Sequence, residues 1–215
     1  MKTLTRQLWA KQDQHSGDRL RLFTAVSAAF DISTVLYPGS FVDVAPSFVF
    51  DEVTYVDTDR RAARFFSDVD GVDEIIAPHR EAKSDTEWRF VPGDYATDLG
   101  LPIEHYDLLV SLYAGFVSER CTRYLRVGGL LLVNPSHGDA AMASIDPRYR
   151  LVAVVTSRSG KYSVSRNDLD SYLKPKGPAT ISAEALHRSG RGVGYTKPAF
   201  AYLFQRLGDD PARSN

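Results

Sequence analysis

A doubly wound α/β fold with a mostly parallel sheet is predicted by three observations on the 215-residue chain. Seven short runs of β-branched, aromatic or aliphatic residues recur along it, and helical patterns separate several of the first five. The fourth and fifth runs are almost continuously apolar, as in strands buried on both faces. The last two follow one another across a long polar span, which predicts an antiparallel closing pair.

The elements follow in order. Phe23, Val26 and Phe30 recur at helical spacing and Asp18 can cap the start, predicting a helix over 18–30. Thr34 to Tyr37 is the first strand and Val53 to Val56 the second, with room between them for only a short helix. Arg60 to Val69 reads as a helix offering Ala62, Ala63, Phe65 and Phe66 to the sheet. The polar stretch 70–87 carries at most a further short helical piece. Trp88 to Val91 is the third strand, stopped by the turn Pro92-Gly93-Asp94-Tyr95. Tyr106 to Leu112 is the fourth, Phe116 to Leu125 a helix, and Leu130 to Val133 the fifth strand. Leu151 to Val155 and Ala199 to Gln205 complete seven, and residues 208–215 read as a frayed tail. One domain over 1–215 is expected, with 1–30 as a helical lid and 156–196 as an insertion on the substrate side.

Composition narrows the class. With 43% hydrophobic and 25% charged residues the chain has the makeup of an ordered globular protein. A single cysteine, Cys121, excludes an internal disulfide framework and reads as a small buried hydrophobe. The N-terminus lacks an apolar segment of signal-peptide length, and no run approaches the ~20 residues of a membrane span, so a cytoplasmic protein without a membrane partner is expected. A net charge of −1 gives no general attraction to nucleic acid. Residues 151–215 hold 10 basic and 5 acidic groups, which marks either a face toward an anionic or small-molecule substrate or a solvated basic surface. No pattern specifies an oligomeric state.

The most informative segment is Thr34-Val35-Leu36-Tyr37-Pro38-Gly39-Ser40, followed by Val53-Thr54-Tyr55-Val56-Asp57. Asp57 lies 18 positions after Gly39, near the ~20 expected of an acid that reaches a ribose hydroxyl from the next strand. Phe41, Val42 and Asp43 stand where a dinucleotide site needs further glycines, so a pyrophosphate fits poorly and a nicotinamide-dependent oxidoreductase is disfavoured. A nucleoside bearing a sulfonium instead of phosphates avoids that need, and Tyr37, Phe41 or Tyr113 offer aromatic faces to its cation.

Together these segments resemble the class I S-adenosylmethionine-dependent methyltransferases, a Rossmann-like family, over residues 20–206. Tyr37-Pro38-Gly39-Ser40 is similar to that family's first motif in a variant with one glycine. Asp57 matches its acid after strand two, Gly93-Asp94-Tyr95 its adenine-contacting turn, Asp107 to Ser111 its fourth strand, and Tyr124 to Leu132 its Gly-Gly segment before strand five. The resemblance implies S-adenosylmethionine as cofactor, Gly39 and Ser40 at its amino-acid end, Asp57 at the ribose and Asp94 or Tyr95 at the adenine. Ser111 and Tyr113 would then lie at the rim near the methyl group. Methyl transfer to an oxygen or nitrogen nucleophile is the implied reaction. The alternative is a catalytically inactive protein on the same fold, binding a nucleoside or a partner.

Diagnostic catalytic side chains are few, as expected where the methyl is already activated and the protein need only align a nucleophile. His137 is a candidate general base oriented by Asp139; the alternative is a helix cap or an exposed loop histidine. Tyr113 either stacks on a ligand or covers the sheet end. Asn134-Pro135 follows the fifth strand, whereas the motif of enzymes that methylate nucleic-acid amino groups belongs after the fourth. His15, His79, His105 and His187 are dispersed, and no metal site is expected. Tyr172 and Lys176 have short-chain oxidoreductase spacing, but Pro175 breaks the helix such a pair requires.

Overall fold

The computed structural model describes residues 1–80, 86–177 and 181–208. Parts of the predicted polar stretch, insertion and tail lie outside these residues. A single sheet of eight strands runs in the order β3-β2-β1-β4-β5-β8-β6-β7. Its strands are β1 (Thr34–Pro38), β2 (Glu52–Asp57), β3 (Glu87–Pro92), β4 (Tyr106–Ser111), β5 (Leu125–Val133), β6 (Tyr149–Arg158), β7 (Lys161–Ser165) and β8 (Ala201–Arg206). The first five pair in parallel, and β8 runs antiparallel between β5 and β6.

The helices are α1 (Thr3–Gln12), α2 (Asp18–Ser27), α3 (Arg60–Phe66), α4 (Val69–Ile76), α5 (Val117–Cys121), α6 (Asp139–Ile145) and α7 (Ala183–Ser189). Strand alternation divides the core between the two faces of the sheet. Val35, Leu108, Val110, Leu130, Leu132 and Leu203 join Phe23 of α2 and Phe65 of α3 on one face. Leu36, Leu109, Leu131, Val133 and Phe204 join Val117 of α5 and Ala140 of α6 on the other. The crossover from β1 to β2 holds only the 3-10 turn Ala45–Phe48. That turn is fixed by the buried Tyr55 hydroxyl, which meets Ser47 Oγ at 2.6 Å and donates to the Val44 carbonyl.

Eight strands stand where seven were predicted. The extra one, β7, hairpins onto β6 and carries only Tyr162 and Val164 as large apolar residues, too few for a strand signal in a polar stretch. It supports α2: the Tyr162 hydroxyl donates to Asp18 at 2.8 Å, and Arg21 Nε donates to the Gly160 carbonyl at the hairpin turn. Three boundaries also differ. The 18–30 helix stops at Ser27, and Gly17 rather than Asp18 occupies its N-cap. The 60–69 helix breaks at Ser67 and Asp68, after which α4 begins. The 116–125 helix is one short α-turn and a 3-10 turn, so β5 starts at Leu125. Among the described residues no helix is long and apolar enough to cross a membrane.

Candidate functional site

The order β2-β1-β4-β5 reverses direction between β1 and β4, so the loops leaving these strands diverge and open a crevice at their carboxyl ends. Gly39 turns the chain there at φ +68, a left-handed conformation that costs a residue with a side chain, and its amide donates to the Val56 carbonyl at 2.8 Å. A Cβ at this position would lie 3.0 Å from Ala114 Cβ, so the β1 and β4 corners nearly touch.

A cleft of about 430 Å³ opens beside this corner, lined by Gly39, Asp57, Asp94, Tyr95, Gly115 and Phe116 among others. It collects residues from the ends of β1, β2, β3 and β4. The Asp57 carboxylate accepts the Phe41 amide at 2.8 Å through Oδ2 and the Asp59 amide at 2.7 Å through Oδ1. Asp94 Oδ1 accepts the Ala96 amide, closing the turn after β3 on itself. The Tyr95 hydroxyl accepts the Gly115 amide at 3.1 Å and ties that turn to the loop after β4. Burial raises the Tyr95 hydroxyl above its ordinary pKa, so it stays protonated.

A second cavity of about 360 Å³ lies between the α1–α2 connection and the β1 and β4 corners. Phe41 and Tyr113 line it, and both hold positive φ, +48 and +59. Bulky residues adopt this conformation rarely, and such backbone strain clusters at ligand sites. The cavity also takes in Arg19 of α2, whose guanidinium carbon stands 5.1 Å from the Tyr113 ring centroid. Behind it Arg19 Nε pairs with Asp43 at 3.4 Å, and the Tyr37 hydroxyl donates to the same carboxylate. Burial pushes Asp43 upward in pKa against the opposing pull of Arg19.

Of the ten residues singled out in the sequence, Gly39, Asp57, Asp94 and Tyr95 share the first cleft and Tyr113 lines the second cavity. Tyr37 does not reach either: its ring packs in the core and is 2% exposed. Ser40 is buried as well, and among the described residues its Oγ has no hydrogen-bond partner. Ser111 is buried under the sheet end, where its hydroxyl donates to Asp139.

His137 and Asp139 are not joined as a base and its orienter. The Asp139 carboxylate is 1% exposed and accepts the Ser118 amide and the Ser111 and Ser118 hydroxyls, so it caps α5 from across the interior. Burial pushes its pKa up to about 6. The exposed His137 meets Ser136 Oγ through Nδ1, and Ser136 in turn donates to Asn134, which also accepts the Tyr113 amide. Sequence reading also passed over Arg19, Phe200, Gly115 and Phe116. Gly115 and Phe116, directly after the fourth strand, could have been found from topology; Arg19 and Phe200 carried no signal of proximity.

No protein-family model matches the chain, and no curated protein matches it in sequence. Solved structures do match in shape. One, from Klebsiella pneumoniae and described as a candidate O-methyltransferase, superposes with a TM-score of 0.51 at 10% identity, covering 97% of this chain and 91% of that one. Another, from Methanococcus maripaludis and described as a candidate S-adenosyl-L-methionine-dependent methyltransferase, gives 0.51 at 13% identity over 97% and 94%. The architecture is therefore the class I S-adenosylmethionine-dependent methyltransferase fold, lengthened at one edge by β7.

Proposed function

We propose that this protein binds S-adenosylmethionine in the cleft between Gly39, Asp57 and Asp94 and methylates an oxygen or nitrogen nucleophile held in the adjoining cavity. The observation that carries this reading is the convergence of three segments 18 and 37 positions apart on one cleft at the switch point of the sheet. The cleft volume of about 430 Å³ falls in the range of small-ligand sites.

The residues present fit the group. A carboxylate has roughly four acceptor positions, and Asp57 gives one to each of two backbone amides, which leaves two for a ribose diol. Tyr95 and Phe116 line the same cleft as Asp94 and offer aromatic rings to an adenine held there. When bound, the cofactor supplies a methyl group already activated on a cationic sulfur. The protein's own task is then to align the acceptor and to exclude water, with α1 and α2 covering the cavity as a lid and Phe41 and Tyr113 presenting aromatic faces to a cation. Small-molecule acceptors suit a cavity of this size better than a macromolecular surface does.

A second reading, a protein that holds the nucleoside without transferring its methyl, is favoured by the donors of the first loop. The Gly39 and Ser40 amides are both directed at the Val56 carbonyl and that of Phe41 at Asp57, so none is free for the amino-acid end of the cofactor. Calorimetry with S-adenosylhomocysteine, paired with transfer of a labelled methyl group into cell extract, tests both. Binding with transfer supports the enzyme, binding without transfer supports the second reading, and no binding rejects the two together.

A further inference from the structure

Arg19 is the unusual group in the second cavity. Its side chain is only 20% exposed, yet among the described residues it makes no hydrogen bond; its one ion pair runs through Nε to Asp43. A guanidinium carries five N–H donors in a planar fork, and buried donors are almost always satisfied. Arg19 lines the 360 Å³ cavity, and its guanidinium carbon stands 5.1 Å from the ring of Tyr113, which lines it too. Neither acid at the same cavity stands at ion-pair distance from Arg19. Asp13 accepts the Gly17 amide at 2.6 Å, and Asp18 accepts the Tyr162 hydroxyl and pairs with Arg21. Lys11 stands at the rim with no carboxylate at ion-pair distance among the described residues. The rest of the wall is polar along the α1–α2 connection, at Gln12, Gln14 and His15, and aromatic opposite it, at Phe41, Tyr113 and Phe200.

We propose that this cavity is a carboxylate-binding site, in which the Nη edge of Arg19 receives the anion and Phe41, Tyr113 and Phe200 enclose a planar, apolar body. Arg is suited to this task because its fork matches the two oxygens of a carboxylate. Asp43 supports it from behind by holding Nε, and the Tyr37 hydroxyl holds Asp43. The proposal rests on the functional reading above for what the ligand is used for, and it deepens that reading by naming the class of acceptor: a small aromatic acid. The same chemistry is carried by the amino-acid end of the cofactor, so the test separates the two sources.

The whole chain is titrated calorimetrically with two matched pairs: 4-hydroxybenzoate against 4-hydroxybenzamide, and S-adenosylhomocysteine against 5′-methylthioadenosine. Arg19→Gln is expected to weaken at least one carboxylate probe by about tenfold to a hundredfold and to leave its neutral counterpart within about twofold. Loss confined to 4-hydroxybenzoate assigns the site to the acceptor, and loss confined to S-adenosylhomocysteine assigns it to the cofactor. Wild-type protein that binds neither carboxylate, or a variant that binds both unchanged, overturns the proposal. If neither nucleoside binds while 4-hydroxybenzoate still binds through Arg19, the methyl-transfer reading fails and this one stands. Should Arg19→Gln not fold, Arg19→Lys keeps a cation beside Asp43 and loses the fork; if that fails too, the wild-type preference for each carboxylate over its neutral partner decides, and the absence of any preference rejects the site.

Discussion

The Asp57 carboxylate accepts the backbone amide of Phe41 at 2.8 Å, joining the acid that ends β2 to the strained residue that walls the second cavity. One side chain thus borders both clefts: Asp57 lines the first, and its contact with the Phe41 amide meets a residue held at φ +48 in the wall of the second. Asp57→Ala is expected to weaken S-adenosylhomocysteine binding by about 1.5 to 3 kcal/mol, the scale of hydrogen bonds to a charged acceptor. Asp57→Asn should lose less, because one carbonyl oxygen survives to accept a single amide. Calorimetry that finds the alanine variant binding like wild type would reject the ribose role of Asp57.

Gly39 is placed between two costs. An alanine there must hold a left-handed φ, about 1 to 2 kcal/mol for an L-residue, and its methyl would stand 3.0 Å from Ala114 Cβ. Urea unfolding of Gly39→Ala should show a lower midpoint at unchanged slope. Adding Ala114→Gly removes the contact and leaves the backbone cost, so in a double-mutant cycle the pair should be coupled. Strict additivity would mean that the close approach contributes nothing.

How much of this was legible depends on how each feature is encoded. The central strands were read correctly because burial on both faces leaves an uninterrupted apolar run, as in Leu108 to Val110 and Leu130 to Val133. The edge strand β7 was missed because one face of Lys161–Ser165 meets solvent and the other meets α2, a partner remote in sequence. The Gly39, Asp57, Asp94 grouping was legible because strand ends in such a sheet lie on one edge, so topology alone brings them together. The His137 and Asp139 pairing failed for the opposite reason. Nearness in sequence suggested a dyad, but Asp139 opens α6 and turns inward to the α5 terminus while His137 stays outside. Tyr37 failed similarly, since alternation along β1 sends it to the core beside Val35.

Cys121 is fully buried beneath the cleft, and burial pushes its thiol up to about 12, so the nucleophilic thiolate is scarce at neutral pH. Ellman's reagent should find no reactive thiol in the native protein and one per chain after denaturation in guanidinium. Rapid reaction of the native protein would show that α5 opens readily, and S-adenosylhomocysteine should then slow it if the ligand rests on the loop that α5 follows.

Asp139 gives the fold a pH dependence whose sign can be worked out. Its folded pKa is pushed up to about 6 from an ordinary 3.8, chiefly by burial, with the hydrogen bonds from Ser111 and Ser118 opposing that shift only in part. Between about pH 4 and 6 the folded chain therefore holds a proton that the unfolded chain has released. The unfolded state binds fewer protons in that window, so stability falls as pH rises through it and levels above about 6. Asp139→Asn removes the titration while keeping the shape, and Ser111 Oγ can accept from the new amide because a hydroxyl is both donor and acceptor. Relative to wild type the variant should gain stability as pH rises from 4 to 7, by at most about 3 kcal/mol for a two-unit shift. Asp43 is raised in the same direction but is present in both proteins, so it cancels in the difference. Asp68 and Asp107, whose values are lowered, are also present in both proteins and cancel in the same way. Urea unfolding at each pH supplies the two curves. Parallel curves would mean that Asp139 is ionised throughout, held as a carboxylate by the hydroxyls around it.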